Sequence, residues 1–247
     1  MTLRSYLRAA APAAGTATLA AAGLAVVHAG PGITALGPVR RAFFPRLAGY
    51  GAAGHVALTF DDGPDPAATP RFLDVLDSRG LHATFFLLGA MVARTPGLAA
   101  DIAAAGHELG VHGWDHRYLP LRGPRSTADD LERARDIIAV AAGAAPRLFR
   151  PPYGVLTTAA IRAAGRLGLS TVLWTCWGRE WAPGATPESV FSVLASGLSG
   201  GATVLLHDSD AVTPGNAPGA LGALPLLLDE CARRGLQVGT VGEHGIA

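Results

Sequence analysis

From His55 onward, short unbroken apolar runs alternate with longer stretches in which apolar residues recur every three or four positions. The first pattern reads as buried strand, the second as a helix packed by one face. The runs fall at 56–60, 81–88, 108–111, 147–149, 170–174, 202–206 and 236–238. Between them, Thr69-Pro70, Thr95-Pro96 and Thr186-Pro187 each read as an N-cap with proline in the first helical position. Ser126 or Thr127 opens another helix, and two more are expected over 158–167 and 221–234. Gly80, Gly106, Gly143, Gly168 and Gly235 stand where those helices should stop. Seven strands alternating with helices predict a parallel sheet. No strand leads into a GxGxxG or Walker pattern, so nucleotide-binding folds lose support. The expectation is an α/β fold: an incomplete barrel, its chemistry at the C-terminal strand ends.

The pattern differs before residue 55. Arg4 and Arg8 precede a stretch from Ala9 to Val39 without Asp, Glu, Lys or Arg, and 9–27 is almost wholly apolar. A basic start followed by about 20 apolar residues describes a signal peptide or a membrane anchor. Residues 1–40 are therefore expected to be that segment, 41–53 a linker, and 54–247 the folded domain. The corresponding location is the cell envelope, anchored or secreted. Net charge is +1 with no long basic run, which argues against nucleic acid as a partner. Cys176 and Cys231 form no CxxC pair and read as small buried apolar side chains.

Ionisable residues recur at the same end of the predicted strands. The first run ends in Asp61-Asp62 and is stopped at once by Gly63-Pro64. The third ends in His112-Gly113-Trp114-Asp115-His116, the fourth in Arg150-Pro151-Pro152-Tyr153. The fifth leads through Trp174 to Glu180-Trp181, and the sixth ends in Leu205-Leu206-His207-Asp208. Two histidines and a carboxylate are a common set for a catalytic divalent metal that keeps positions open for water and substrate. His112 and His116 supply the imidazoles, and Asp61 or Asp62 the carboxylate. The other aspartate is then free to act as general base, with Arg150 to orient it and His207 to protonate a leaving group.

Thr59-Phe60-Asp61-Asp62-Gly63-Pro64, His112-x-x-x-His116, Arg150-x-Pro152-Tyr153, Glu180-Trp181 and Leu205-x-His207 resemble, in order and spacing, the five motifs of the NodB-homology polysaccharide deacetylases, carbohydrate esterase family 4. The resemblance covers about residues 54–240. It implies a distorted (β/α)7 barrel that removes N-acetyl groups from an acetylated amino-sugar polysaccharide, peptidoglycan or chitin-like. It implies Asp61 as catalytic base held by Arg150. Asp62, His112 and His116 would be ligands of a divalent ion, usually zinc. The Tyr153 backbone N–H would help to form an oxyanion hole. His207 would be the catalytic acid oriented by Glu180, with Trp181 and Leu205 lining the acetyl pocket. Three departures stand out. Gly113 replaces a Ser or Thr whose hydroxyl can steady the second motif. Glu180 replaces Asp, and Trp177 replaces a further Asp.

Other residues take plainer readings. His55, His82 and His107 are expected to be structural, Asp65 to cap a helix, and Asp208 and Asp210 to be solvated loop charges. Competing functions are an O-acetyl esterase on the same scaffold and a carbohydrate-binding pseudoenzyme. A glycosidase using Asp61 and Asp62 is disfavoured, because neighbouring strand residues point to opposite faces.

Overall fold

The computed structural model of the 247-residue chain describes residues 22–246. Eight parallel strands form one curled sheet. They are β1 (His55–Asp61), β2 (Thr84–Leu87), β3 (Glu108–Val111), β4 (Leu148–Phe149), β5 (Ser170–Thr171), β6 (Cys176–Trp177), β7 (Thr203–His207) and β8 (Gln237–Gly239). Their order is β5-β4-β3-β2-β1-β7-β6, with β8 paired to the start of β1. β1 is the hub. It pairs with β7 along Ala57–Asp61 and with β2 at its far end, so Asp61 lies beside His207 in register.

Seven of these strands match the apolar runs of the sequence. The difference lies at 170–174, where one strand was expected. The chain pairs with β4 only at Ser170–Thr171, then crosses to β7 as β6. The reason is visible in the backbone of 172–174. Arg150 takes the carbonyls of Val172 and Leu173, and the Leu173 N–H donates to Leu47 O at 2.8 Å. A chain whose hydrogen bonds are spent on a guanidinium and on an N-terminal segment cannot continue the ladder. The barrel stays open between β5 and β6.

The segment expected to be a linker, 41–53, fills that opening instead. Helices α1 (Gly37–Phe43) and α2 (Pro45–Ala48) lie against it, with Ala48 fully buried. Gly49 O accepts the Thr203 hydroxyl, Gly51 N–H donates to Gly201 O, and Ala52 N–H to His244 O. Of the expected signal or anchor, 1–40, residues 1–21 lie outside the described residues. Among the described residues no single helix is long and apolar enough to cross a membrane, and the helical stretches 22–35 and 37–43 meet at 88°.

Helices α3 (Thr69–Asp77), α4 (Gly89–Arg94), α5 (Pro96–Ala104), α6 (Pro124–Ala142), α7 (Thr158–Arg166), α8 (Pro187–Gly197) and α9 (Asn216–Arg233) follow the strands. The α3 helix shows how the core forms. Phe72 and Leu76, one turn apart, are fully buried, and Phe60 packs between the rings of Phe72 and Phe85 at 5.2 and 4.9 Å. Burial of each such side chain stabilises the fold by about 1.5–3 kcal/mol. Thr186 caps α8 with a reciprocal Ser189 bond, as the sequence suggested. Thr69 does not cap α3: its hydroxyl accepts from Asp65 N–H and donates to Asp208. Both cysteines are free and buried.

Candidate metal centre and active site

The C-terminal ends of β1, β3, β4 and β7 bring Asp61, Asp62, His112, His116, Arg150 and His207 together, with Glu180 behind His207. The two aspartates share one pocket although they are neighbours in sequence. Asp61 is the last residue of β1, while Asp62 has φ = 75°. That left-handed turn, unusual for a non-glycine residue, swings the second carboxylate back to the side of the first. The alternation argument used against a glycosidase therefore does not hold at this pair. Both carboxylates instead approach the same imidazole nitrogen, His112 Nε2, at 3.7 and 3.5 Å.

Their surroundings divide them. Arg150, fully buried, donates through Nη1 to Asp61 Oδ1 and to the Thr59 hydroxyl, each at 2.7 Å. Its Nη2 and Nε go to the Leu173 and Val172 carbonyls at 3.0 and 3.3 Å. Thr59 in turn donates to Val204 O. Asp61 Oδ1 is thus tied, which leaves Oδ2 facing the pocket. Asp62 has no arginine. Its Oδ1 is buried without a hydrogen-bond partner, and His112 Nε2 and His116 Nε2 each lie 3.5 Å from it. Burial pushes the Asp62 carboxyl up to about 7, with the Asp61 and Glu180 charges adding to the effect and His207 opposing it.

His112 is arranged to present a lone pair. His112 Nδ1 lies 2.8 Å from Arg150 O. A carbonyl can only accept, so Nδ1 carries the proton and Nε2 is bare. Burial holds both His112 and His116 down at about 3, hence neutral. A bare nitrogen facing an unpartnered carboxylate oxygen is an unfavourable pairing that a cation would resolve. Ligand atoms on a tetrahedral zinc at about 2.1 Å are about 3.4 Å apart, close to the distances between the Asp62 oxygen and the two nitrogens. One atom from each of Asp62, His112 and His116 lies within 4.8 Å of the others. These residues fit a divalent ion.

His207 has the opposite bias. Its Nδ1 lies 2.7 Å from Glu180 Oε1, and Glu180 is almost wholly buried. The longer side chain that replaces Asp still reaches the ring. Burial is the largest single influence and lowers the His207 pKa. The Glu180 hydrogen bond and charge, with Asp62 and Asp61, together outweigh it and raise the imidazole to about 9. Nδ1–H points to Glu180, and Nε2 faces the pocket, 3.9 Å from Asp62 Oδ2.

The pocket is a cavity of about 410 Å³. Leu205 and the Trp174, Trp177 and Trp181 rings form its apolar side, the rings meeting in series at 5.8 and 5.1 Å. Trp181 also meets the His207 ring edge-on at 5.7 Å. Tyr153, at φ = 59°, covers the opposite rim with its ring 4.5 Å from that of His116. Trp177, where the resemblance led to an aspartate, is part of this wall.

Three functional neighbours were not foreseen. Asp130, on α6, accepts the Trp114 N–H at 2.9 Å and Arg122 at 2.6 Å. It holds the loop between the two histidines, the task expected of a hydroxyl at position 113. Gly113 itself has φ = 86°, and a Cβ there would stand 3.1 Å from Asp130 Oδ2. Asp208, expected to be solvated, is fully buried against Gly63 and bonds the Thr69 hydroxyl. Burial pushes its carboxyl up to about 7. Asp210 accepts the Ala217 N–H at the start of α9. Asp65 accepts from Ala67 N–H and reaches Asp210 N–H, linking the two loops. His107 and His55 have structural partners in Ala83 N–H and His244. The only sequence signal for Asp208 was its place at the end of a buried strand, and Asp130 gave none.

The polysaccharide deacetylase family matches residues 49–172. A chitooligosaccharide deacetylase of a Bradyrhizobium species is 41% identical over 154 residues, 62% of this chain and 70% of that protein. A peptidoglycan-N-acetylglucosamine deacetylase of Bacillus cereus is 35% identical over 192 residues, 76% of this chain and 86% of the other. A family 4 carbohydrate esterase from Streptomyces lividans, solved with acetate, superposes with a TM-score of 0.69 at 31% identity, covering 76% of this chain and 93% of its own.

Proposed function

The chain belongs to the polysaccharide deacetylase family, and from that membership we propose that it hydrolyses the N-acetyl groups of an amino-sugar polysaccharide in the cell envelope, releasing acetate. The observation that carries the reading is the division between the two aspartates. One carboxylate is clamped by a buried arginine, and its neighbour is bare beside two neutral imidazoles.

Asp62, His112 and His116 would hold the divalent ion, and two imidazoles with one carboxylate favour zinc. When bound, the ion supplies a Lewis acid for the amide carbonyl and acidifies water. The protein's own groups do the rest. Asp61 takes the proton of the attacking water at Oδ2, because Arg150 occupies Oδ1 and fixes the carboxylate plane. The Tyr153 backbone N–H is assigned to the carbonyl oxygen as it gains charge. Leu205 and Trp181 receive the acetyl methyl at the apolar side of the pocket. His207 gives the proton on Nε2 to the departing nitrogen, while Glu180 holds Nδ1–H and keeps the ring charged until then.

Acetate release from N-acetylated chito-oligosaccharide and from peptidoglycan, with and without chelator, tests this reading. Release that chelator abolishes and added zinc restores is the expected result. Release indifferent to chelator removes the metal assignment, and no release from either glycan removes the reaction. An acetyl xylan esterase from Clostridium thermocellum, 29% identical with a TM-score of 0.69, supports a second reading, O-acetyl hydrolysis. An ester leaving group needs less protonation than an amine. Loss of His207 would then cost little on an O-acetylated xylan and much on an N-acetylated glycan. A xylan rate far above the amide rate would favour the esterase.

A further inference from the structure

The groove continues beyond the acetyl pocket. Tyr153, Trp174 and Trp177 also line a second cleft of about 270 Å³, whose other side is formed by Arg40 and Arg41 of α1. Arg40 is only 9% exposed. Among the described residues its one side-chain hydrogen bond is Nη2 to Trp174 O at 2.8 Å, and its guanidinium lies 5.1 Å from the centre of the Trp174 ring. Neither arginine has a carboxylate within 4 Å among the described residues, whereas Arg150, the other buried arginine among them, is paired with Asp61. Residues 1–21 contain no Asp or Glu to supply one. Burial, and after it the charges of Arg41 and Arg150, disfavours the Arg40 cation.

A cation nine-tenths buried without a counter-charge is costly to keep. The guanidinium fork matches a carboxylate, and Trp177, half-buried in the cleft wall, offers an aromatic ring to a sugar. The cleft shares its aromatic wall with the acetyl pocket, so a polymer seated in one passes the other. We propose that this cleft is a subsite for the sugar adjoining the one deacetylated, and that Arg40 and Arg41 bind a carboxylate carried by that sugar. The ligand class is an N-acetylated glycan with acidic substituents on neighbouring units, such as a lactyl ether, rather than a neutral homopolymer. The inference rests on the deacetylase reading for its substrate, but not for its anion site.

The test compares the metal-loaded full chain with Arg41→Gln and Arg41→Glu on two tetrasaccharides. One is neutral N-acetylglucosamine throughout, and the other carries a 3-O-lactyl group on alternate sugars. Arg41→Gln should lower kcat/KM on the acidic substrate about ten-fold relative to the neutral one, through KM with kcat little changed, and Arg41→Glu should lower it further. An equal loss on both substrates, or no loss on the acidic one, overturns the subsite. If wild-type protein releases acetate from neither, the deacetylase reading has failed, and calorimetry with the acidic tetrasaccharide decides the anion site separately. Binding weakened by Arg41→Gln upholds it. Binding that is absent, or equal in both proteins, overturns it.

Discussion

At the scale of single residues, the site works by giving chemically equal groups unequal surroundings. Asp61 and Asp62 differ in what touches them: a guanidinium for one, two neutral imidazoles for the other. The histidines divide in the same way. His112 and His116 are held neutral at about 3, while His207 is raised to about 9 despite its burial, because Glu180 bonds Nδ1. A group that acts as an acid must be protonated, so activity should persist up to the His207 pKa and fall as pH rises through it. Glu180→Gln keeps an acceptor but removes the charge. The alkaline limb of kcat should then move to lower pH, and kcat at pH 8 should fall by about ten-fold or more. An alkaline limb unmoved in the variant would detach Glu180 from the acid. His207→Ala should cost about 10²–10⁴ in kcat on an N-acetyl substrate, measured by acetate release.

At the scale of elements, backbone conformation sets the geometry of the loop between the two histidines. Gly113 turns the chain between the metal-facing histidines at φ = 86°, with Asp130 taking up the Trp114 N–H. Replacement by Ser, the residue type the family resemblance led one to expect, should therefore not improve the site. A side chain in this region costs about 1–2 kcal/mol, and here it also presses on Asp130. Lower thermal stability together with weaker metal retention in Gly113→Ser is the expected outcome. Unchanged stability would show the loop to be free to readjust. A second element effect concerns acid. His107 accepts the Ala83 N–H on Nδ1 and is lowered to about 4, mainly by burial and also by His82. The unfolded chain takes up that proton near 6.5, so the unfolded state gains as pH falls from about 6.5 towards 4, and stability is lost over that window. Thermal melts of His107→Asn should show a shallower decline between pH 6.5 and 5 than wild type. The positions of β1, β3, β4, β7 and the Thr186 cap were legible in the sequence, because each rests on local apolar runs or capping chemistry. The split at 170–177 was not. It depends on Arg150, Leu47 and Thr203, which are far from it in sequence.

At the scale of the molecule, β1 carries the two carboxylates into the middle of the sheet, and its neighbours bring the partners. Every member of the predicted site is found in one pocket or directly behind it, since order along the strands translates into adjacency around a parallel barrel. What the sequence hid were contacts made by residues remote in the chain: Asp130 behind the histidine loop, Asp208 beneath Gly63, and Arg40 behind Trp174. None belongs to a local pattern. Asp62, His112 and His116 join β1 to the loop after β3, so an ion bound among them should stabilise the whole fold. At a concentration 100 times its Kd the gain is about 2.7 kcal/mol, and chelator should lower Tm accordingly, with zinc restoring it. The division of labour between the aspartates is the central claim, and acetate release by Asp61→Asn at full metal occupancy tests it most directly. The account expects bound metal equal to wild type and a rate at least 10²-fold lower; undiminished acetate release from the metal-loaded variant would contradict it.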